Sequence, residues 1–321
     1  MTKTAAPRDI VGKTLIELGR EYPELVVLDA DVGSSTRSAE FAAAFPSRFF
    51  QMGIAEANMA GVAAGLAASG KIPVMVGFAV FVTAKAFEQV RQSVAWANLN
   101  VKIIGSHAGL TVGLDGASHQ AVEDVAIMRS LPNMCVLDPA DAAETESAIR
   151  AAVVHRGPVY VRVGRLKSPV IYETPPRLTP GKAVVLREGK DATIIACGIM
   201  VARALEAASL LDGDGISVGV VDMASVKPLD GDCVVDCAGR TGAIVTAENA
   251  SIVGGLGSAV AEVLAEKVPV PMERIGIPDV FGTSSDPERL MERYGMTAEH
   301  VRSAVTRVMA RKRAQRGRDN G

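Results

Sequence analysis

Glu56, in the run Gly53-Ile54-Ala55-Glu56-Ala57-Asn58-Met59, is a lone acid in a stretch otherwise made largely of Ala, Gly, Val and Leu. Residues 54–69 read as a buried helix with this carboxylate in its first turn, and nothing near it in sequence neutralises the charge. Such a carboxylate either interacts with the helix dipole and does nothing more, or shares its proton with a ligand. A second group lies on a glycine-rich loop, Ser106-His107-Ala108-Gly109 through Gly113-Leu114-Asp115-Gly116-Ala117-Ser118-His119, which holds two of the four histidines in the chain. Glycines let backbone wrap a small polar ligand, and imidazoles donate to hydroxyls or phosphate or shuttle protons. Phe78 and Phe81, in Gly77-Phe78-Ala79-Val80-Phe81, put two rings together in a chain that is only 4% aromatic; they fit either a core plug or a platform for a flat ligand. Arg165, which closes Val161-Arg162-Val163-Gly164-Arg165, is either a surface charge or a donor fork for phosphate. Ser34, Ser35 and Arg37, after Asp29-Ala30-Asp31, are weaker candidates for a phosphate end.

Most of these positions share one kind of address, just after a short apolar run. Runs at 25–28, 73–76, 101–104, 134–137 and 159–163 are rich in β-branched residues, and segments of helical periodicity separate them. Alternation of this kind predicts βαβ units and a mostly parallel sheet, whose ligands bind at the carboxyl edge of the strands. A helix is expected over 84–97. The stretch 171–182, with Pro175, Pro176 and Pro180, breaks the pattern. Beyond it strands are expected at 192–196, 217–221 and 242–246, and helices at 201–211, 255–267, 287–294 and from 297 to about 311. The expected fold is α/β, two doubly wound domains covering 1–170 and, smaller, 188–321, with a linker over 171–187.

Hydrophobic residues make up 48% of the 321 and charged residues 22%, with a formal net charge of -2, so the chain is globular and has no basic field for nucleic acid. Its one basic run, from Arg311 to Arg318, reads as a solvated end. Cys135, Cys197, Cys233 and Cys237 show neither metal spacing nor the density of a disulfide scaffold. No apolar run approaches a membrane span, and a cytoplasmic protein is expected.

Taken together, these segments resemble the second half of transketolase over nearly the whole chain. The resemblance implies a pyrimidine-binding thiamine-diphosphate fold followed by a transketolase C-terminal-like domain. It implies that Glu56 hydrogen-bonds the aminopyrimidine ring of thiamine diphosphate and activates the cofactor, that Phe81 stacks on that ring, and that Phe78 lines the pocket. The loop is similar to a transketolase segment of the form THD-x-x-G-x-G-E-D-G-x-x-H. By that likeness Asp115 bonds a sugar hydroxyl, His119 binds the oxygen next to the reacting carbon, and His107 sits further out toward the phosphate end. Arg165 then holds the sugar phosphate, with Ser34 in the same region. Leu114 departs from the family, which commonly has an acid there.

Asp212-Gly213-Asp214-Gly215 contains the letters GDG that open the family's Mg²⁺-diphosphate motif, but no Asn follows before Asn249, so it reads as a turn. Glu248-Asn249 and the glycines from Gly254 to Gly257 read as structural. The resemblance therefore implies that Mg²⁺ and the diphosphate are held by another chain, an N-terminal transketolase subunit, most simply in an α2β2 heterotetramer. This chain would be the C-terminal subunit of a two-component transketolase, moving a two-carbon ketol unit from a ketose phosphate to an aldehyde. A beta subunit of a 2-oxoacid dehydrogenase's decarboxylating component and a non-catalytic regulatory subunit are the alternatives. Asp115 and His107 argue against the first, because a 2-oxoacid presents neither sugar hydroxyls nor phosphate.

Overall fold

Seven strands pair in the order Ser225–Lys227, Cys135–Leu137, Val159–Val163, Lys102–Ser106, Ile72–Phe78, Leu25–Asp29 and Phe49–Gln51. They belong to a computed structural model that describes residues 3–319. All but the first run parallel, as β-branched runs buried on both faces require. Register decides what stands at their carboxyl edge. Phe78 is level with Ser106, and Ser106 with Val163, so the chain leaves three neighbouring strands at Phe78, His107 and Gly164-Arg165.

A second sheet, in the order Met272–Ile277, Ile244–Ser251, Ala192–Ala196, Val218–Asp222 and Val184–Arg187, is parallel except for its last strand. The helices expected at 201–211 and 255–267 are Met200–Gly213 and Leu256–Lys267. Val184–Arg187 falls within the stretch expected as a linker. Ser225–Lys227 comes from the second half of the chain yet pairs antiparallel with Cys135–Leu137, completing the first sheet, and Lys227 Nζ donates to the carbonyls of Arg129 and Leu131. Three residues are too few for periodicity to have shown this crossing.

Three expectations are corrected. The helix Glu56–Ala68 is not buried all round: Met59, Ala60 and Ala63 face the core, while Asn58, Gly61, Gly65 and Ala68 are exposed. A Cβ on Gly61 or Gly65 would touch nothing within 4 Å. A helix apolar on every side gives no sign of which face stays open. Second, the segment expected as one helix over 84–97 begins earlier and is wound as π-helix over Phe81–Lys85 and Val90–Ala95 around a short α-turn, Phe87–Gln89. A π-turn absorbs an extra residue, which turns Lys85 to a direction that a 3.6-residue period does not predict. Third, the last helix runs Ala298–Asp319 and its basic run starts anchored, although Arg313 is exposed as a solvated end would be. Arg311 donates to Met272 O at 2.7 Å and pairs with Glu273 at 2.9 Å, and Lys312 donates to the carbonyls of Asp191 and Thr241. The side chains of Arg316 and Arg318 lie outside the described residues.

Where the two sheets meet, buried acids crowd together. Asp141 caps the helix Ala142–Val154 through Glu144 N at 2.8 Å and also accepts from the amides of Ile171 and Tyr172. Tyr172 OH donates to Asp222 Oδ2 at 2.8 Å, and Glu144 and Asp222 lie close enough across the junction to share a proton. Burial, then the charge of Asp222, raises Glu144 well above the usual carboxylate range; burial raises Asp222 to about 7. The folded pair therefore keeps a proton that the unfolded chain releases near pH 4, so its contribution favours folding at low pH and is lost as pH rises toward about 7. Asp222→Asn keeps an acceptor for Tyr172 and offers a donor to Glu144. It is expected to gain stability relative to the native chain between about pH 5 and pH 7, by at most ~1.4 kcal/mol per pH unit. Urea titrations showing identical pH slopes for the two proteins would contradict the shared proton.

Candidate active site

Glu56 is the first residue of its helix, preceded by Ala55 with no side-chain cap, and its side chain is only 4% exposed. Lys85 Nζ stands 2.6 Å from Glu56 Oε2. Among the described residues this ammonium is the one cation paired with Glu56. The expectation that nothing neutralises Glu56 is thus corrected: the cation comes from the π-wound turn Phe81–Lys85, which follows the neighbouring strand. The same ammonium lies 5.2 Å from the centroid of the Phe81 ring.

The aromatic residues gather beside it. Phe78 and Phe81 have centroids 6.3 Å apart, Phe81 meets His119 edge-on at 5.3 Å, and Phe78 packs against His107 at 4.4 Å. His107, expected further out, is buried, with its Nδ1 2.9 Å from Ser106 Oγ and its Nε2 3.4 Å from an Arg8 nitrogen. A guanidinium can only donate, so Nε2 accepts and Nδ1 carries the proton. Burial, followed by the positive charges of Arg165 and Arg8, holds the His107 pKa down to about 4. At neutral pH this imidazole is a neutral hydrogen-bonding group.

Arg165 donates to Asp115 Oδ2 and to Val112 O, each at 2.9 Å, and both charged side chains remain about one third exposed. Arg162, three residues earlier, is a different kind of residue. It is buried between Asp124 at 2.7 Å and Asp138 at 3.5 Å and also donates to Asn249 O at 2.8 Å. The loop carrying Asp115 is propped by the second half of the chain. Asn249 accepts from Leu110 N at 3.1 Å and donates to Thr111 Oγ1 at 3.2 Å, while Ser284 Oγ donates to Leu114 O at 2.6 Å. Gly109, at φ +68°, passes so close to Asn249 that a Cβ would lie 2.4 Å from its Nδ2, so only glycine permits this approach.

One cluster therefore holds Glu56, Phe78, Phe81, His107, Asp115, His119 and Arg165. Ser34 is not joined to it: it is exposed on the short turn Gly33–Thr36, and its neighbour Arg37 is held by Asp9 at 2.8 Å. Lys85 and Arg8 belong to the arrangement and were not singled out from the sequence, and Asn249, read there as structural, props the site's loop. No local pattern marks them, because each reaches its partner from a distant segment.

The residues fit the aminopyrimidine end of thiamine diphosphate, since a buried carboxylate whose cation is a half-exposed lysine lies beside an aromatic ring able to stack on a flat heterocycle. Among the described residues, no group of three or more His, Cys, Asp or Glu is arranged to hold a metal ion. No helix among them is long and apolar enough to cross a membrane.

Residues 3–170 match the transketolase pyrimidine-binding domain and residues 181–301 the transketolase C-terminal domain. The chain is 46% identical to the 6-deoxy-6-sulfo-D-fructose transketolase subunit of Clostridium sp. strain MSTE9, over 95% of each chain. It is 36% identical to mouse transketolase-like protein 2, covering 94% of this chain but 48% of that one. A solved split-gene transketolase, described as an inactive beta4 tetramer, shares 53% identity and superposes with a TM-score of 0.89, over 95% of this chain and 98% of that chain. Domains of this kind imply dependence on thiamine diphosphate, and their match along both halves of the sequence shows that the chain belongs to the transketolase family.

Proposed function

We propose that this chain is the C-terminal subunit of a two-component transketolase, with a pyrimidine-binding domain over 1–170 and a smaller domain over 188–321. The observation that carries the reading is the buried Glu56 carboxylate beside Phe81, met by a half-exposed lysine, with an Arg165–Asp115 pair on the same sheet edge. Mg²⁺ and the diphosphate are assigned to a partner N-terminal subunit, in an α2β2 assembly. The open face of the Glu56 helix, with its bare Gly61 and Gly65, suits a partner backbone at close range. That the chain spans 95% of a relative named as a transketolase subunit, and only about half of a transketolase-like single chain, supports the division.

Thiamine diphosphate, when bound, supplies the nucleophilic carbon that carries the two-carbon unit between sugars. In this assignment Glu56 holds a proton against the aminopyrimidine, Phe81 stacks on that ring and Phe78 walls the pocket. His119 bonds the oxygen at the reacting carbon, and neutral His107 accepts or donates without adding charge. Overall, the C2–C3 bond of a ketose phosphate breaks and a new C–C bond forms to the aldehyde carbon of the acceptor. The proton lost by the donor's C3 hydroxyl is matched by one gained at the acceptor oxygen. Asp115 reads a hydroxyl and Arg165 the phosphate. Leu114, 73% exposed beside Asp115, replaces the acid that the resemblance expects and leaves room for an acceptor other than a common pentose phosphate.

The test is ketol transfer from xylulose 5-phosphate to ribose 5-phosphate with this chain alone and with a candidate N-terminal subunit, in thiamine diphosphate and Mg²⁺. Activity in the mixture only is expected. Cofactor binding without transfer would refute the pentose-phosphate reading and leave the family untouched. Arg165→Ala is expected to raise KM for phosphorylated donors about 10- to 100-fold, the loss of a charge-assisted fork, with little effect on unphosphorylated sugars. An equal loss on both would remove the phosphate role.

A further inference from the structure

Lys85 is placed on both groups assigned to the cofactor ring. Its ammonium is 2.6 Å from Glu56 Oε2 and 5.2 Å from the Phe81 centroid, so it fills the angle between the carboxylate and the ring face. We propose that Lys85 is a built-in, displaceable plug: a tethered cation that neutralises Glu56 until the aminopyrimidine of thiamine diphosphate takes its place. This rests on the cofactor assignment made above.

The two partners are unequal. The Glu56 side chain is 4% exposed and fixed at a helix start, whereas that of Lys85 is 49% exposed on a flexible four-carbon stem. When the pair separates, it is therefore Lys85 that moves, and it has solvent to move into. The ion pair is close, at 2.6 Å, but it is made by the half-exposed partner alone, and a cation over a ring face at a half-exposed site adds a weak attraction. A buried carboxylate without a cation is costly, which gives the plug a purpose before the cofactor arrives. An aromatic ring bearing N–H groups can satisfy the same oxygen and stack on the same phenylalanine, and the two occupants exclude each other. Cofactor affinity then includes the cost of lifting Lys85 away.

Thiamine diphosphate with Mg²⁺ is titrated into the reconstituted two-subunit complex, reading bound cofactor by calorimetry. Lys85→Gln is expected to bind about 5- to 10-fold more tightly than the native complex, while Lys85→Arg, which keeps the cation, stays within about twofold. In this chain alone, Lys85→Gln is expected to lower the melting temperature, because Glu56 loses its cation. Unchanged or weaker cofactor binding by Lys85→Gln, with normal binding by the native complex, overturns the plug alone. A native complex that binds no thiamine diphosphate overturns the cofactor assignment, and the plug with it. Acetylation of the Lys85 amine in the native complex gives a readout that needs no variant. The rate is expected to rise several-fold on adding cofactor, and a rate that stays level or falls contradicts displacement.

Discussion

Glu56→Gln in the reconstituted complex is expected to reduce ketol transfer by about 10²- to 10⁴-fold, the range by which a positioned proton-sharing group acts. Gln preserves the volume of the side chain and an oxygen that can accept from a ring N–H, so the cofactor can still be seated. What it removes is an oxygen able to hold and release a proton at the aminopyrimidine. Stability should not fall in parallel. Glu56 is buried with one half-exposed cation at 2.6 Å, so replacing a charge by a neutral amide relieves desolvation while losing that contact. The informative pattern is thus lost turnover with an unchanged or higher melting temperature and near-normal cofactor binding. Turnover within a few-fold of native would dispose of the catalytic assignment, and the chain would then read as a non-catalytic subunit.

Arg162→Ala is expected to cost about 3–5 kcal/mol of folding stability, the range for removing one partner from a buried ionic network. The guanidinium is fully enclosed, with Asp124 on one side and Asp138 on the other, and burial of both acids is tolerable only because it is there. Among the described residues, no other cation pairs with either acid. Tyr160 OH donates to Asp124 Oδ2 at 2.6 Å but brings no charge. The substitution also frees the carbonyls of Ala121 and Asn249, and Asn249 is the prop of the loop that carries Asp115. The damage should therefore reach substrate binding as well as urea resistance. Adding Asp124→Asn to Arg162→Ala should recover part of the loss, since it removes one of the stranded charges. A single variant within about 1 kcal/mol of native would mean that water enters and solvates the two acids, and the network would lose its structural weight.

Arg162 and Arg165 illustrate how far the chain could be read without a structure. They sit three apart at one strand end, and the resemblance selected the second for substrate. The structure separates them by burial, one locked among acids and one a third exposed on the cluster. The strands were legible because each is a local run of β-branched residues, and the strand expected at 192–196 is Ala192–Ala196 as observed. The loop from Ser106 to His119 was legible for a related reason: its glycines and histidines are contiguous and could be recognised as one word. Ser34 shows the opposite case. A serine after a strand is common, and nothing in its neighbours fixes which way it faces.

By itself, then, the sequence determined the α/β class, the succession of strands and helices, and the presence of a carboxylate, two phenylalanines, two histidines and an arginine near strand ends. Those features depend on residues close together in the chain, where periodicity and turn chemistry act. Only the tertiary structure decided that Lys85 faces Glu56, that burial, Arg165 and Arg8 lower the basicity of His107, that Asn249 supports a loop 139 positions away, and that Ser225–Lys227 closes the other sheet. Each of those is a pairing across the fold, set by strand register, by one π-turn and by the docking of two sheets. A short polar side chain carries no local mark of the distant partner that burial will force upon it.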